Sequence, residues 1–211
     1  MERKGPTSRV GETRRGRYLH NGPADDRVVI FDIDGLLADL SAFQDELTRD
    51  DVAVQQRWRD FFAHIPDAAV LDDGRDLAWA IAGLGFTIVY STTRPAYTRT
   101  ATGVWLTVSD FPVGRALLAR PHRETAGHPQ PALQIKLAHA RAVTNKHPAW
   151  LRCFVDDDEA VVDRLTAQHV PASTGHALSA LGVAALRRRL DSGRADAPET
   201  ATNLGVLHHA R

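Results

Sequence analysis

Two carboxylates separated by one residue end the first apolar run of this chain, Val28-Val29-Ile30-Phe31-Asp32-Ile33-Asp34-Gly35. A run this apolar reads as a strand buried on both faces, as in a parallel sheet. Side chains alternate along a strand, so Asp32 and Asp34 leave it on the same side. Like charges there repel one another unless a cation sits between them. Gly35 lets the backbone turn sharply away. The ordinary alternative is a surface turn, where Asp and Gly are common. A second acidic group, Asp156-Asp157-Asp158-Glu159, ends another apolar run, Leu151-Arg152-Cys153-Phe154-Val155. Asp158 and Glu159 suit a helix N-terminus, which favours anions. Asp156 and Asp157 are then left facing the crevice of Asp32 and Asp34. Oxygen-only ligands of this kind suit Mg²⁺.

A hydroxyl cluster and a lysine stand between the two acidic groups. Ser91-Thr92-Thr93-Arg94-Pro95 follows the apolar run Phe86-Thr87-Ile88-Val89-Tyr90. Hydroxyls at the carboxyl end of a strand suit phosphate binding in an open α/β sheet. Arg94 adds a charge-assisted donor. The plainer reading of the same residues is a helix N-cap ahead of Pro95. Lys136 falls in a helical pattern with Leu133, Leu137 and Ala140, where a lone lysine is ordinarily a solvated surface residue. His122 and His128 make a poor metal pair, since no thiolate or third ligand joins them.

The elements that must position these groups alternate. Strand and helix patterns succeed one another from Val28 to Leu190, which predicts an α/β fold with a doubly wound, Rossmann-like parallel sheet covered on both faces. Leu36-Leu37-Ala38-Asp39-Leu40 leads into a polar stretch that reads as helix. There Trp58, Phe61 and Phe62 stand at helical spacing, as core packing or as a small lid wall. Leu77, Ile81 and Leu84 mark the next helix, which Gly85 ends. Pro95 onward reads as helix through Trp105 and Leu106, and Ala116-Leu117-Leu118-Ala119-Arg120 as a third strand. Two last helices carry Val161 with Leu165 and Leu178 with Leu181, with a short strand beginning near Val170 between them.

Composition bounds the rest. A chain of 211 residues with 43% hydrophobic content supplies one domain with a sizeable core. We assign residues 1–26 to a disordered basic arm, 27–190 to the folded domain and 191–211 to a flexible tail. A formal net charge of +0 argues against a protein built wholly around nucleic-acid electrostatics, though not against a local basic patch. A single cysteine, Cys153, rules out an internal disulfide framework. No apolar stretch is long enough to span a bilayer, and the polar, basic N-terminus has no signal-like core, so a cytoplasmic protein with no membrane partner is expected.

Phe31-Asp32-Ile33-Asp34-Gly35, with the hydroxyl cluster, the lysine and the second acidic group in that order, resembles the haloacid dehalogenase (HAD) superfamily of phosphatases. The resemblance spans roughly three quarters of the chain, and the spacing between Asp34 and Thr92 leaves room only for a small or absent cap. It implies that Asp32 is the nucleophile and Asp34 the general acid and base. It implies that Thr92 binds the phosphoryl group and that Lys136 steadies the nucleophile and phosphoryl oxygens. It also implies that Asp156 and Asp157 hold Mg²⁺ with Asp32 and Asp34, the latter through its backbone carbonyl. A narrower resemblance is to the phosphatase domain of phage polynucleotide kinases, which removes 3′-phosphates. It rests on Thr92-Thr93-Arg94-Pro95, Thr102 with Trp105-Leu106, and Leu118-Ala119-Arg120 before Lys136. That group usually has Gly where Thr93 stands, and often Met where Ala119 stands. It implies Thr93, Arg94 and Arg120 as substrate-binding residues, and a phosphorylated nucleotide or nucleic-acid end as substrate. With Arg99 and Arg123, Arg94 and Arg120 are expected to line a basic rim that holds a second phosphate. No Walker A motif accompanies it. A 5′-nucleotidase or small-metabolite phosphatase, a phosphotransferase and a non-catalytic phosphate-binding protein are the alternatives on the same scaffold.

Overall fold

The computed structural model describes residues 27–121, 131–145 and 150–193. The basic arm, the tail from residue 194, and His122, Arg123 and His128 lie outside the described residues.

In chain order the elements are β1 (Val28–Asp32), β2 (Ala38–Asp39), α1 (Asp45–Thr48), α2 (Val54–Ala63), β3 (Ala69–Val70), α3 (Asp72–Gly83), β4 (Thr87–Pro95), α4 (Arg99–Val108), β5 (Ala116–Arg120), α5 (Ala132–Thr144), β6 (Leu151–Asp156), α6 (Glu159–Ala167), β7 (Ala172–Thr174), α7 (Gly175–Ser179) and α8 (Val183–Ser192). Five strands form one sheet in the order β5-β4-β1-β6-β7. Every pairing in it is parallel. The doubly wound parallel sheet expected from the sequence is therefore the fold. The chain leaves β1 for β4 and β5 on one side, then crosses back to β6 and β7 on the other. Strand order reverses between β1 and β6, and in such sheets ligands bind outside the carboxyl ends of the strands at that reversal.

All five residues of β1 are buried, because it is the central strand with a layer on each face. Val29, Phe31, Ile88, Tyr90, Cys153 and Val155 pack into one layer with residues of α3, α4 and α8. Val28, Ile30, Val89, Leu151 and Phe154 pack into the other with α5 and α6. The alternation of a strand thus divides one apolar run between two cores.

The stretch after β1 runs into helix as expected, in α1 and α2, but a short strand pair not read from the sequence brackets them. Ala38 and Asp39 pair antiparallel with Val70 and Ala69. This small hairpin carries α1 and α2 between its strands, so the insertion is a two-helix cap. Its base is fastened to the main domain. Leu71 donates its backbone N–H to Leu37 O at 2.9 Å, and Trp105 Nε1 on α4 donates to Ala68 O at 3.0 Å. Trp58, Phe61 and Phe62 meet on α2 at the helical spacing expected, with ring centroids 5.3–5.9 Å apart. Further on, the pattern around Leu178 and Leu181 is two helices, α7 and α8, and α8 continues to Ser192.

Candidate functional site

The carboxyl ends of β1, β4 and β6 meet at the strand-order reversal, and the acidic groups meet there. Asp32 closes β1 and Asp156 closes β6; they are 4% and 0% exposed. Lys136 reaches between them from α5. Its Nζ lies 2.7 Å from Asp156 Oδ2 and 3.2 Å from Asp32 Oδ2. The expectation that a lone helical lysine is solvated fails here, because Lys136 is 6% exposed. Two carboxylates at the end of a sheet give a buried ammonium the partners it needs. Burial works against the Lys136 charge, yet Asp32 and Asp156 more than offset it and hold its pKa above the ordinary lysine value. Burial pushes the Asp32 carboxyl well above the usual carboxylate range; the Lys136 charge opposes this, while Asp156 and Asp34 add to it.

Asp157 completes a group of three carboxylates. Asp32, Asp156 and Asp157 each offer an oxygen within 4.8 Å of the others. This donor set suits a small hard cation, which takes oxygen ligands and keeps several waters. Gly35 is what lets Asp157 approach. A Cβ at that position would stand 2.2 Å from Asp157 Oδ2, and its φ of +82° is one that glycine adopts freely. Asp158 does cap α6, accepting from Ala160 N at 2.8 Å and Val161 N at 3.3 Å.

Asp34 is turned elsewhere. Its Oδ1 accepts from Arg94 Nη2 at 2.6 Å, and Arg94 Nε bonds both of its oxygens at 3.0 and 3.1 Å. Thr92 Oγ1 donates to Asp34 Oδ2 at 3.2 Å. Arg94 is 1% exposed, and its Nη1 donates to Thr102 Oγ1 at 3.2 Å. Its guanidinium thus grips the candidate acid/base, while the sequence alone suggested a donor aimed at substrate. Neither Thr92 nor Thr93 caps a helix: both lie within β4, and α4 begins at Arg99 with no side-chain cap. Arg120 Nε donates to Thr93 O at 2.9 Å, where the β4–β5 ladder is interrupted.

Sequence reading missed one buried pair. Ser91 Oγ lies 2.8 Å from His139 Nδ1, and His139 Nε2 lies 3.4 Å from Ala119 O. His139 stands one turn beyond Lys136 on α5, so the pair ties the lysine's helix to β4 and β5. Burial lowers the His139 pKa; the bond to Ala119 works the other way, and the Arg99 and Lys136 charges add to the lowering. A neutral ring protonated on Nε2 would accept from the Ser91 hydroxyl and face Ala119 O with its N–H. The only sequence signal was the spacing of three between Lys136 and His139.

No family model and no curated protein matches the chain. Solved structures do. A chain of the Pnkp1/Rnl/Hen1 complex is 16% identical with a TM-score of 0.51, covering 81% of this chain and 53% of that one. The chain therefore spans about half the length of that relative. CbbY from Rhodobacter sphaeroides, in complex with phosphate, is 12% identical at a TM-score of 0.48, covering 70% of this chain and 85% of that one. A HAD-superfamily hydrolase from Ehrlichia chaffeensis is 11% identical at a TM-score of 0.42, with coverage of 70% and 85%. These are likenesses of fold.

Proposed function

We propose that this chain, a protein of the HAD-like fold, is a Mg²⁺-dependent phosphomonoester hydrolase that works through an aspartyl-phosphate on Asp32, and that it acts on nucleotides or on 3′-phosphate ends of nucleic acid. The observation that carries the reading is Lys136, an ammonium buried between Asp32 and Asp156 where the strand order reverses. A buried cation placed there faces the charge that a transferring phosphoryl group brings.

Each residue has a role in such a reaction. Lys136 holds Asp32 Oδ2 and so orients the carboxylate for attack on phosphorus. The ester P–O bond breaks as the Asp32 O–P bond forms, and Asp34 delivers its proton to the departing ester oxygen. In the second half Asp34 takes a proton from the attacking water, the acyl-phosphate O–P bond breaks, and inorganic phosphate leaves. Thr92 offers its hydroxyl to the phosphoryl oxygens, giving up the bond it makes to Asp34 Oδ2. Asp32, Asp156 and Asp157 would hold Mg²⁺, which supplies charge stabilisation at the phosphoryl oxygens.

The substrate class rests on the small cap, which leaves the cleft open to a bulky group. The likeness to a chain of the Pnkp1/Rnl/Hen1 complex points the same way. Two measurements test the reading. Chelation should abolish phosphate release and added Mg²⁺ restore it. At one ionic strength, kcat/KM should be higher for a 3′-phosphorylated oligonucleotide or a mononucleotide than for a sugar phosphate. Full activity in chelator removes the metal role, and preference for the sugar phosphate removes the substrate class.

Arg94→Lys separates grip from charge. Lysine keeps the positive charge but cannot hold both Asp34 oxygens from a planar fork. Turnover should fall on the order of 10²-fold, the size of a lost general acid–base contribution. Circular dichroism should remain native. Wild-type turnover in this variant would show that the two-pronged contact to Asp34 does not matter.

A further inference from the structure

Ser91 and His139 are buried and polar, and neither has a role in the proposed reaction. Ser91 is 0% and His139 6% exposed. Ser91 Oγ lies 2.8 Å from His139 Nδ1, and His139 Nε2 lies 3.4 Å from Ala119 O. The place of this pair in the sheet is specific. Ser91 on β4 is the register partner of Asp32 on β1. Asp32 continues the face of Val28 and Ile30, and Ser91 that of Val89, the face that α5 covers. There Asp32 meets Lys136 of α5 at 3.2 Å. Ser91, on the neighbouring strand, meets His139, three residues along the same helix.

The two contacts draw α5 toward opposite sides of the sheet, whose order runs β5-β4-β1-β6. Lys136 is drawn to β1 and β6 through Asp32 and Asp156. His139 is drawn to β4 and β5 through Ser91 and Ala119. Ala119 lies where the β4–β5 register shifts, between Ser91 and Pro95. Lys136 already stands nearer to Asp156 than to Asp32, at 2.7 against 3.2 Å. Coulomb attraction depends on distance alone, so two carboxylates do not fix where an ammonium rests between them. Ala140 and Val143 press α5 onto the sheet, but apolar contact is non-directional. A hydrogen bond has a preferred direction. The bond between Ser91 and His139 therefore limits the roll of α5 about its own axis.

We propose that Ser91 and His139 are positioning residues that set the roll of α5 and so keep Lys136 on Asp32 as well as on Asp156. The inference rests on the hydrolase reading above, which names Asp32 as the group that must be oriented. Without the pair, Lys136 moves onto Asp156, the partner it already stands closer to. Asp32 Oδ2 then loses the contact that aims the carboxylate at phosphorus.

The double variant Ser91→Ala/His139→Leu tests this. Replacing both partners by apolar groups removes the directional bond and leaves neither side chain with a buried, unpaired polar atom. Its urea midpoint should stay close to that of the wild type. With Mg²⁺ and a 3′-phosphorylated oligonucleotide, kcat should fall about 10²-fold, the cost of a reacting group misplaced by about an ångström. KM should change little. His139→Asn should restore kcat, because its Oδ1 stands near the place of Nδ1 and accepts from the Ser91 hydroxyl. Lys136 also gives a readout that needs no turnover. It is one of three lysines, with Lys4 and Lys146, so its ammonium signal in ¹⁵N-lysine-labelled protein is assigned by its loss in Lys136→Met. That signal should move in the double variant and return in His139→Asn. A double variant that keeps either the wild-type signal or the wild-type kcat overturns the proposal. So does a His139→Asn variant that loses as much as the double one, since the pair would then act by packing alone. If the wild type releases no phosphate from any ester, the hydrolase reading falls, and the ammonium signal alone decides the positioning.

Discussion

Asp32→Asn is expected to abolish phosphate release while leaving the fold intact. Asparagine has nearly the same shape and still offers Lys136 a carbonyl oxygen, but it has no carboxylate to attack phosphorus. Turnover should fall by about 10⁴-fold or more, the range seen when a nucleophile is removed. Stability should not fall with it, because burial already pushes the Asp32 carboxyl far above its usual range. The sign of the pH effect follows. In the metal-free wild type the folded state binds a proton at Asp32 more readily than the unfolded chain does. That contribution is full below about pH 3.9, the unfolded value, and is lost as pH rises through the raised folded value. In the Asn variant this part of the pH dependence should vanish, giving a flatter curve of Tm against pH in chelator. Retention of more than about a hundredth of wild-type turnover would remove Asp32 as nucleophile. An unchanged curve would show that the buried carboxyl does not titrate as described.

Lys136→Met should act on both stability and rate. Methionine fills a similar volume but brings no charge, so Asp32 and Asp156 would face one another buried and uncompensated. Removing one partner of a buried ion pair costs about 3–5 kcal/mol, and here the two exposures of 4% and 0% leave little solvent to screen the loss. Urea denaturation of the metal-free variant should show that cost. Mg²⁺ should recover part of it, because a divalent cation held by Asp32, Asp156 and Asp157 replaces the missing charge and stabilises only the folded state. Turnover with Mg²⁺ should still fall by about 10²–10³-fold, as for loss of one preorganised electrostatic contact. A metal-free variant within about 0.5 kcal/mol of wild type, the range of ordinary surface changes, would show that Lys136 is not the counter-charge of this site.

The β1 and β6 runs, their acidic ends, the alternation of strands and helices and the order of the candidate residues were legible in the sequence. The physical reason is local: a strand buried on two faces must be apolar throughout, and acids at its end stand out against it. Whether Lys136 is solvated was not legible. A lysine in an amphipathic helix reads as surface until the two carboxylates that accept it are brought to the same sheet end. The same holds for Arg94, whose charge suggested substrate. Only folding places its guanidinium on Asp34, sixty residues away, and gives it Thr102 as a second partner. Ser91 and His139 carry no mutual signal across 48 residues. The short β2–β3 pair went unread because two residues carry no period. The sequence by itself determined which groups this protein has and which strand ends bear them. Tertiary structure decided which charges meet, because partners drawn from different strands and helices are chosen by topology and burial, and neither is written in local pattern.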